Sequence, residues 1–244
     1  MSDDPPSGGQ SRRAFLGTIA TGSVVGLAGC NSRSGDPGRG TAIHYPAESH
    51  PQSHASAHPS GPYRRHENDL CWHSLPVTFA VGTSTYPDYL AEDGVTDAVT
   101  ASFDAWNGVA GTPDVFTAPR MDDSLDSITF ENGVNELVWE EMPDDSLGRA
   151  HWRWASGTSK LLEVDIRMNP NRTWFVDSAT AGGSVDAFDV QSVLTHELGH
   201  NALLDVTDAP DQTMFHQTSA GATRKRTLGD GDRAGWQVAY GSTE

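Results

Sequence analysis

The short motif Thr195-His196-Glu197-Leu198-Gly199-His200-Asn201 constrains the fold of this chain more than any other feature. Apolar residues flank it at helical spacing, so the motif is expected inside a helix that begins near Asp186 or Asp189. Two histidines four residues apart share one face of a helix, and both imidazoles can therefore reach one metal ion at a Zn–N distance of about 2.0–2.1 Å. The motif thus predicts a helix that supplies two ligands to one zinc ion.

Glu197 lies between these histidines, at a spacing that suits contact with a metal-bound water rather than with the metal itself. Zinc lowers the pKa of such a water towards ~7, and a carboxylate beside it can accept its proton during attack on a carbonyl. His196 and His200 are therefore predicted zinc ligands, and Glu197 is the predicted general base.

The last quarter of the chain resembles the matrixin branch of the metzincin metalloproteases. The stretch 189–193 is similar to the entry of that family's zinc helix, and Thr213-Met214-Phe215 falls where the family places its Met-turn, a methionine beneath the zinc. The stretch 226–241 resembles the family's final helix with its closing Tyr-Gly. Weaker similarities upstream are the strand 162–169 and Trp106. This resemblance implies a zinc endopeptidase that acts on proteins or peptides.

The chain departs from the family pattern after the second histidine. The family's glycine and third ligand would fall at Leu203 and Val206, and valine cannot bind zinc. A one-residue deletion in the turn would make Asp205 the third ligand, with Asp208 as the second candidate. His216 as a ligand, or no third protein ligand, also remains open. His216, two residues after Met214, is alternatively an oxyanion donor or an ordinary surface histidine.

Hydrophobic periodicity predicts an α+β (mixed α/β) domain with an early helix, several strands and two late helices. The resemblance adds a twisted, mostly parallel sheet with an antiparallel edge strand, an active-site helix and a C-terminal helix. The predicted elements are strands at 75–81, 149–154 and 162–168, a hairpin of 127–130 with 136–139, and helices at 95–106 and 232–240. An extended substrate is expected to pair with the strand around Gly148–Trp154.

The N-terminus resembles an export signal. Arg12 and Arg13 are typical of the twin-arginine route, and Leu27-Ala28-Gly29-Cys30 resembles a lipobox, which implies cleavage before Cys30 and a lipid on its sulfur. Cys71 would then have no partner and is expected to be a buried free thiol. The predicted location is the extracellular face of the cell membrane, through a lipid anchor at Cys30.

Composition divides the rest of the chain. Residues 1–29 are the predicted signal peptide, 30–62 a flexible tether rich in Ser, Gly, Pro and His, and 63–244 the metallopeptidase domain. His50, His54 and His58 are attributed to the solvated tether, and no separate propeptide is expected. The net charge of −17, with 33 acidic and 16 basic residues, excludes nucleic acid as a favoured partner and is typical of a halophilic protein.

The sequence therefore predicts an exported, monomeric zinc endopeptidase. Two alternatives remain. One is a catalytically inactive cell-surface binding module, which the irregular third ligand favours and the intact Glu197 disfavours. The other is a zinc hydrolase that acts on a non-peptide amide.

Overall fold

The computed structural model describes residues 37–47, 63–66, 68–177, 186–202 and 204–241. Three α-helices are present in these ranges: α1 (Glu92–Asn107), α2 (Val190–Gly199) and α3 (Asp230–Tyr240). The strands are β1 (Gly38–Pro46), β2 (Arg64–Arg65), β3 (Phe79–Gly82), β4 (Arg120–Asp122), β5 (Asn135–Trp139), β6 (Gly148–Trp154), β7 (Leu161–Met168), β8 (Thr173–Phe175), β9 (Ala187–Asp189), β10 (Leu204–Asp205) and β11 (Gln217–Thr218).

Seven strands form the main sheet, in the order β11-β1-β6-β7-β5-β3-β4. The pairs β3–β4, β3–β5 and β5–β7 are parallel, whereas β6 runs antiparallel to β7 and to β1. This is the expected mixed α+β architecture, with a mostly parallel half and an antiparallel side. The short pairs β2–β10 and β8–β9 lie outside the main sheet.

Helices α1 and α2 pack against each other, and aromatic side chains join them to α3. Val95, Val99, Phe103 and Trp106 recur at helical spacing along α1 and are all buried. The Trp106 ring lies 4.5 Å from that of Trp236 in α3, and its Nε1 donates a hydrogen bond to the Thr195 carbonyl of α2 at 2.8 Å. The core therefore fixes α2 from one side, while the sheet lies on the other.

Most predicted elements are confirmed, but the predicted hairpin is wrong. The helices at 95–106 and 232–240 and the strands at 149–154 and 162–168 lie within or close to α1, α3, β6 and β7. Residues 136–139 form part of β5, which pairs with β3 and β7 instead of with 127–130. The two segments are connected by a side chain instead of by backbone pairing, because Glu136 Oε2 accepts the Thr129 N–H at 2.7 Å.

Strand β1 corrects the assignment of 30–62 to a flexible tether. Residues 38–46 of that range pair with β6 over seven residues, from Gly38 opposite Trp154 to His44 opposite Gly148. Strand pairing uses backbone hydrogen bonds, so a segment of small residues can form a ladder without a large apolar face. The remainder of the predicted tether, with His50, His54 and His58, lies outside the described residues, as do the signal segment and Cys30.

Cys71 is buried but is not the expected free thiol, because it is disulfide-bonded. The chain contains two cysteines, so a lipid on Cys30 and a disulfide at Cys71 exclude each other within one molecule. None of the helices in the described ranges is both long enough and apolar enough to cross a bilayer.

Candidate active site

Helix α2 begins at a buried, charged cap. Asp189 is the N-cap residue, and its carboxylate accepts the Ser192 N–H at 2.9 Å. The Arg226 guanidinium donates two further hydrogen bonds to the same carboxylate, from Nε at 2.8 Å and from Nη2 at 2.5 Å. The cap therefore orients the zinc-motif helix and also attaches the segment before α3 to it. Of the two cap candidates in the sequence, Asp189 is the one used.

The two motif histidines lie side by side on α2 with a fixed orientation. His196 Nδ1 donates a hydrogen bond to the Thr213 carbonyl at 2.8 Å, and His200 Nδ1 donates one to the Leu204 carbonyl at 2.8 Å. Both side chains are buried, and among the described residues neither Nε2 has a hydrogen-bond partner. Carbonyl acceptors at Nδ1 leave the Nε2 lone pairs available, which is the usual arrangement around metal-binding histidines.

Glu197 is fully buried, and the hydrogen-bond donor beside its carboxylate among the described residues is the Ala150 N–H. Burial raises the pKa of Glu197 to about 8, against the opposing effect of the Lys225 charge. Strand β6 approaches closely here, since a Cβ on Gly148 would lie 2.6 Å from Glu197 Oε1. The glycine thus leaves the space that the carboxylate occupies beside the sheet.

Met214 lies beneath the helix, as the resemblance implies. A Cβ on Gly199 would lie 2.2 Å from Met214 Sδ and 2.8 Å from the Trp106 ring, so the glycine of the motif is required by this packing. Asp232 of α3 holds the turn, because its carboxylate accepts the N–H groups of Thr213 at 2.6 Å and Met214 at 3.1 Å. Sequence reasoning did not identify Asp232, since only the fold brings it to the Met-turn.

Two further buried side chains reach the centre that the sequence did not indicate. The His44 ring of β1 stacks on His196 with ring centroids 3.9 Å apart, and its Nδ1 lies 3.7 Å from Glu197 Oε1. Lys225 Nζ lies 3.0 Å from His44 Nε2 and 3.3 Å from His196 Nδ1. Burial lowers the pKa of His44 and of Lys225, which disfavours their charged forms.

The third-ligand candidates face other partners. Asp205 Oδ2 lies 3.2 Å from Arg64 Nε, and its Oδ1 accepts the Val206 N–H at 2.8 Å. Asp208 Oδ1 lies 3.5 Å from His216 Nδ1. Leu203, at the family's glycine position, lies outside the described residues.

The donor set fits a zinc ion. His44, His196 and Glu197 bring one ligand atom each within 4.8 Å of one another, in a fully buried cluster. The Nε2 atom of His200 adds another unpaired imidazole nitrogen on the same helix. Unpaired imidazole nitrogens and a carboxylate, gathered in a buried centre, are the donors that zinc prefers, and a cation would satisfy atoms that otherwise have no partner.

Comparison with known proteins agrees with this geometry. The family model for matrixins (Peptidase_M10) matches residues 71–241. A relative, Metalloendoproteinase 1-MMP of Arabidopsis thaliana, is 26% identical over an alignment of 180 residues that covers 70% of this chain. The chain covers 44% of the length of that relative. With the family model covering well over half of the sequence, the chain belongs to the matrixin family.

Proposed function

We propose that this protein is a zinc-dependent endopeptidase that hydrolyses peptide bonds in protein or peptide substrates. The observation that carries the proposal is the buried Glu197 between two histidines whose Nε2 atoms have no hydrogen-bond partner in the part of the chain that the structure describes. Burying a carboxylate costs free energy, and such a cost persists where the group serves a reaction.

His196 and His200 would hold the zinc through Nε2, while their Nδ1 hydrogen bonds to Thr213 and Leu204 keep both rings oriented. When bound, zinc would activate a water molecule and polarise the scissile carbonyl. Glu197 would accept the proton of that water at a carboxylate oxygen and pass it to the leaving amine.

Asp205 remains our proposal for the third protein ligand. To act as one, its carboxylate must leave Arg64, an exchange that a bound cation favours since it carries the larger charge. His216 remains a proposed oxyanion donor, and the loop from Met214 to Thr223 is proposed to line the pocket for the side chain after the cut.

Peptide substrates are proposed to bind as an extended strand beside β6. Gly148 of β6 lies against Glu197, and β6 is already paired with both β1 and β7, so a peptide paired with β6 would have to take the place of β1. Such β-strand addition supplies main-chain hydrogen bonds irrespective of substrate sequence.

The test compares four full-length proteins at high salt: wild type, Glu197→Gln, Asp205→Ala and the exposed control Glu141→Gln. Zinc content is measured by elemental analysis, and activity by cleavage of a quenched peptide library. We expect one zinc in wild type, in Glu197→Gln and in the control. Among these three zinc-loaded proteins, only Glu197→Gln should lose cleavage, by at least ~100-fold, the usual contribution of a general base. Asp205→Ala is expected to lose zinc.

Other outcomes favour the alternatives. The pairing of Asp205 with Arg64 favours a catalytically inactive cell-surface binding module, and absence of both zinc and cleavage in all four proteins would establish that module. Zinc binding with Glu197-dependent hydrolysis of small amides but of no peptide would establish the non-peptide hydrolase.

Export by the twin-arginine route to the outer face of the membrane also remains a proposal, supported by Arg12, Arg13 and the apolar stretch that follows. The intact mass of the mature protein decides how Cys30 is used. A lipid adds several hundred daltons or more and leaves Cys71 free to react with a thiol reagent, whereas a disulfide leaves no thiol to react.

A further inference from the structure

The turn Arg224–Arg226 carries three consecutive basic side chains, and the middle one reaches the proposed catalytic centre. Arg224 donates a hydrogen bond to the Gln212 carbonyl, and Arg226 binds the cap carboxylate of α2. Lys225 is buried between them, and its Nζ lies beside the first motif histidine. The two arginines therefore fix the turn to the domain, and the turn brings one amine to the site.

No carboxylate of the described residues contacts the Lys225 amine. Its Nζ donates a hydrogen bond to the Phe215 carbonyl and lies 3.0 Å from His44 Nε2 and 3.3 Å from His196 Nδ1. Burying an amine without a carboxylate in contact costs free energy, and such a cost persists where the group serves binding or reaction. The proposed mechanism does not use this amine, so its role remains to be assigned.

A second donor meets the amine at one point. Thr218 Oγ1 of β11 lies 2.9 Å from the same His44 Nε2 that Lys225 Nζ contacts at 3.0 Å. An imidazole nitrogen offers one lone pair, whereas a carboxylate has two oxygens with about four acceptor sites. A carboxylate at this point would therefore accept hydrogen bonds from the hydroxyl and from the amine together.

This point lies where the side chain after the cut is expected. His44 is paired with Gly148 of β6, so the residue of any strand that pairs with Gly148 in this register directs its side chain here. Gly148 also lies against Glu197, the proposed base. Thr218 belongs to the loop 214–223, which is proposed to line the pocket for that side chain. A peptide paired with β6 would thus direct one side chain, next to the reacting bond, at both donors.

We propose that Lys225, together with Thr218, makes the protein selective for peptides with an acidic residue, Asp or Glu, immediately after the cleaved bond. The inference rests on the proposed function, because it names the substrate class of that same site. A carboxylate that accepts from both donors forms charge-assisted hydrogen bonds, which are about twice as strong as neutral ones. A basic side chain offers no acceptor to either donor, and an apolar one leaves both without a partner.

The experiment measures selectivity as a ratio within each protein, so that incomplete zinc loading cancels. Full-length wild type is incubated with a peptide mixture at about 1 M NaCl, where a Debye length of about 3 Å screens the net charge of −17. Mass spectrometry identifies the residue after each cut. Quenched peptides based on one cleaved sequence then carry Glu, Gln, Leu or Arg at that position, and kcat/KM is measured for each.

The sequence contains two lysines, and the other one gives the matched control. Lys225→Met removes the amine and keeps a side chain of similar length, whereas Lys225→Glu reverses its charge. Lys160→Met changes an exposed lysine in the same way. Thr218→Val removes the second donor at nearly constant shape, and it tests the proposal without altering the buried lysine.

We expect wild type and Lys160→Met to cleave the Glu peptide at least about tenfold more efficiently than the Leu and Arg peptides, with Gln between them. Lys225→Met should lose most of this preference and Thr218→Val part of it, while Lys225→Glu should favour the Arg peptide. A Glu-to-Leu ratio near or below one in wild type would overturn the proposal. So would a ratio that stays the same in Lys225→Met while cleavage of all peptides falls alike, because the lysine would then only hold the loop.

The two proposals fail separately, because peptide binding is measurable without cleavage. In the Glu197→Gln background, short fluorescein-labelled alanine peptides with one central Glu or Leu are titrated and followed by fluorescence anisotropy. If no protein cleaves any peptide, but the Glu peptide binds more tightly and Lys225→Met removes the difference, the acidic selectivity stands and the peptidase does not. If wild type cleaves without preferring Glu, the peptidase stands and the selectivity does not.

Discussion

Helix α2 and strand β1 bring histidines to the same buried centre, but different forces hold the two elements. Helix α2 is packed against α1, capped by a buried ion pair, and placed over Met214. Strand β1 is held by backbone pairing with β6 and β11 and by few buried side chains. We therefore expect local opening of the strand to cost less free energy than opening of the helix.

Removal of the N-cap of α2 is expected to give the largest loss of stability. Asp189→Ala removes the helix cap and the carboxylate that accepts two hydrogen bonds from Arg226, so we expect a loss of about 2–4 kcal/mol in the free energy of unfolding. Urea denaturation followed by tryptophan fluorescence measures it. Asp230→Ala, at the start of α3, is the control: that side chain is fully exposed, and the change should be within ~0.5 kcal/mol. Similar losses for both variants would show that α2 is not held by its cap.

Gly199 tests the packing beneath the same helix. A methyl group there meets Met214 Sδ at 2.2 Å, so Gly199→Ala should destabilise the domain by about 1–3 kcal/mol through overpacking. Shortening the neighbour should relieve part of this, and the double variant Gly199→Ala/Met214→Ala is therefore expected to be more stable than the sum of the single changes predicts. Additive effects in the urea data would mean that the glycine serves another purpose.

The sequence predicted α2 well because its signals are local. Ligand spacing, apolar periodicity and the Asp189 cap all lie within about a dozen residues, and the structure uses the cap and brings His196, Glu197 and Met214 together. Helices α1 and α3 and strands β6 and β7 were predictable for the same reason, since each carries its own hydrophobic period.

Strand β1, Lys225 and Asp232 could not be predicted in this way. Their roles depend on contacts with residues that are remote in the chain: His44 lies 181 positions from Lys225, and Asp232 holds a turn 18 positions earlier. The pattern GRGTAIHYP contains few large apolar residues, so composition indicates a linker although backbone pairing makes it a strand. The signal that could have indicated a strand is the alternation of Gly38, Gly40 and Ala42 at every second position, which ends at His44.

A carboxyl group of the main sheet, beside strand β1, predicts how the stability of the domain depends on pH. Thr41 of β1, His151 of β6 and Asp165 of β7 stand in register across three strands. Burial and the neighbouring charges of Glu163 and Glu136 raise the pKa of Asp165 from 3.8 to about 8. The folded protein therefore holds a proton that the unfolded chain releases near pH 4.

Stability contributed by this proton is complete below about pH 4 and is lost progressively as the pH rises towards about 8, by at most ~1.4 kcal/mol per pH unit for one group. Asp165→Asn keeps the size of the side chain but cannot ionise. The free energy of unfolding, measured by urea denaturation from pH 5 to 8, should therefore depend less on pH in this variant. A slope that is unchanged in the variant would assign the dependence to other groups.

Strand β1 gives the smallest expected change in global stability and the sharpest contrast with α2. Gly40→Val should loosen the strand and lower the free energy of unfolding of the domain by about 1 kcal/mol, because the valine side chain overpacks against the Trp152 ring while few buried side chains leave with the strand. Hydrogen exchange reports both regions in one sample: the amides of β1 should lose protection while those of α2 keep theirs. Loss of protection in both would mean that β1 and α2 open together, as parts of one cooperative unit.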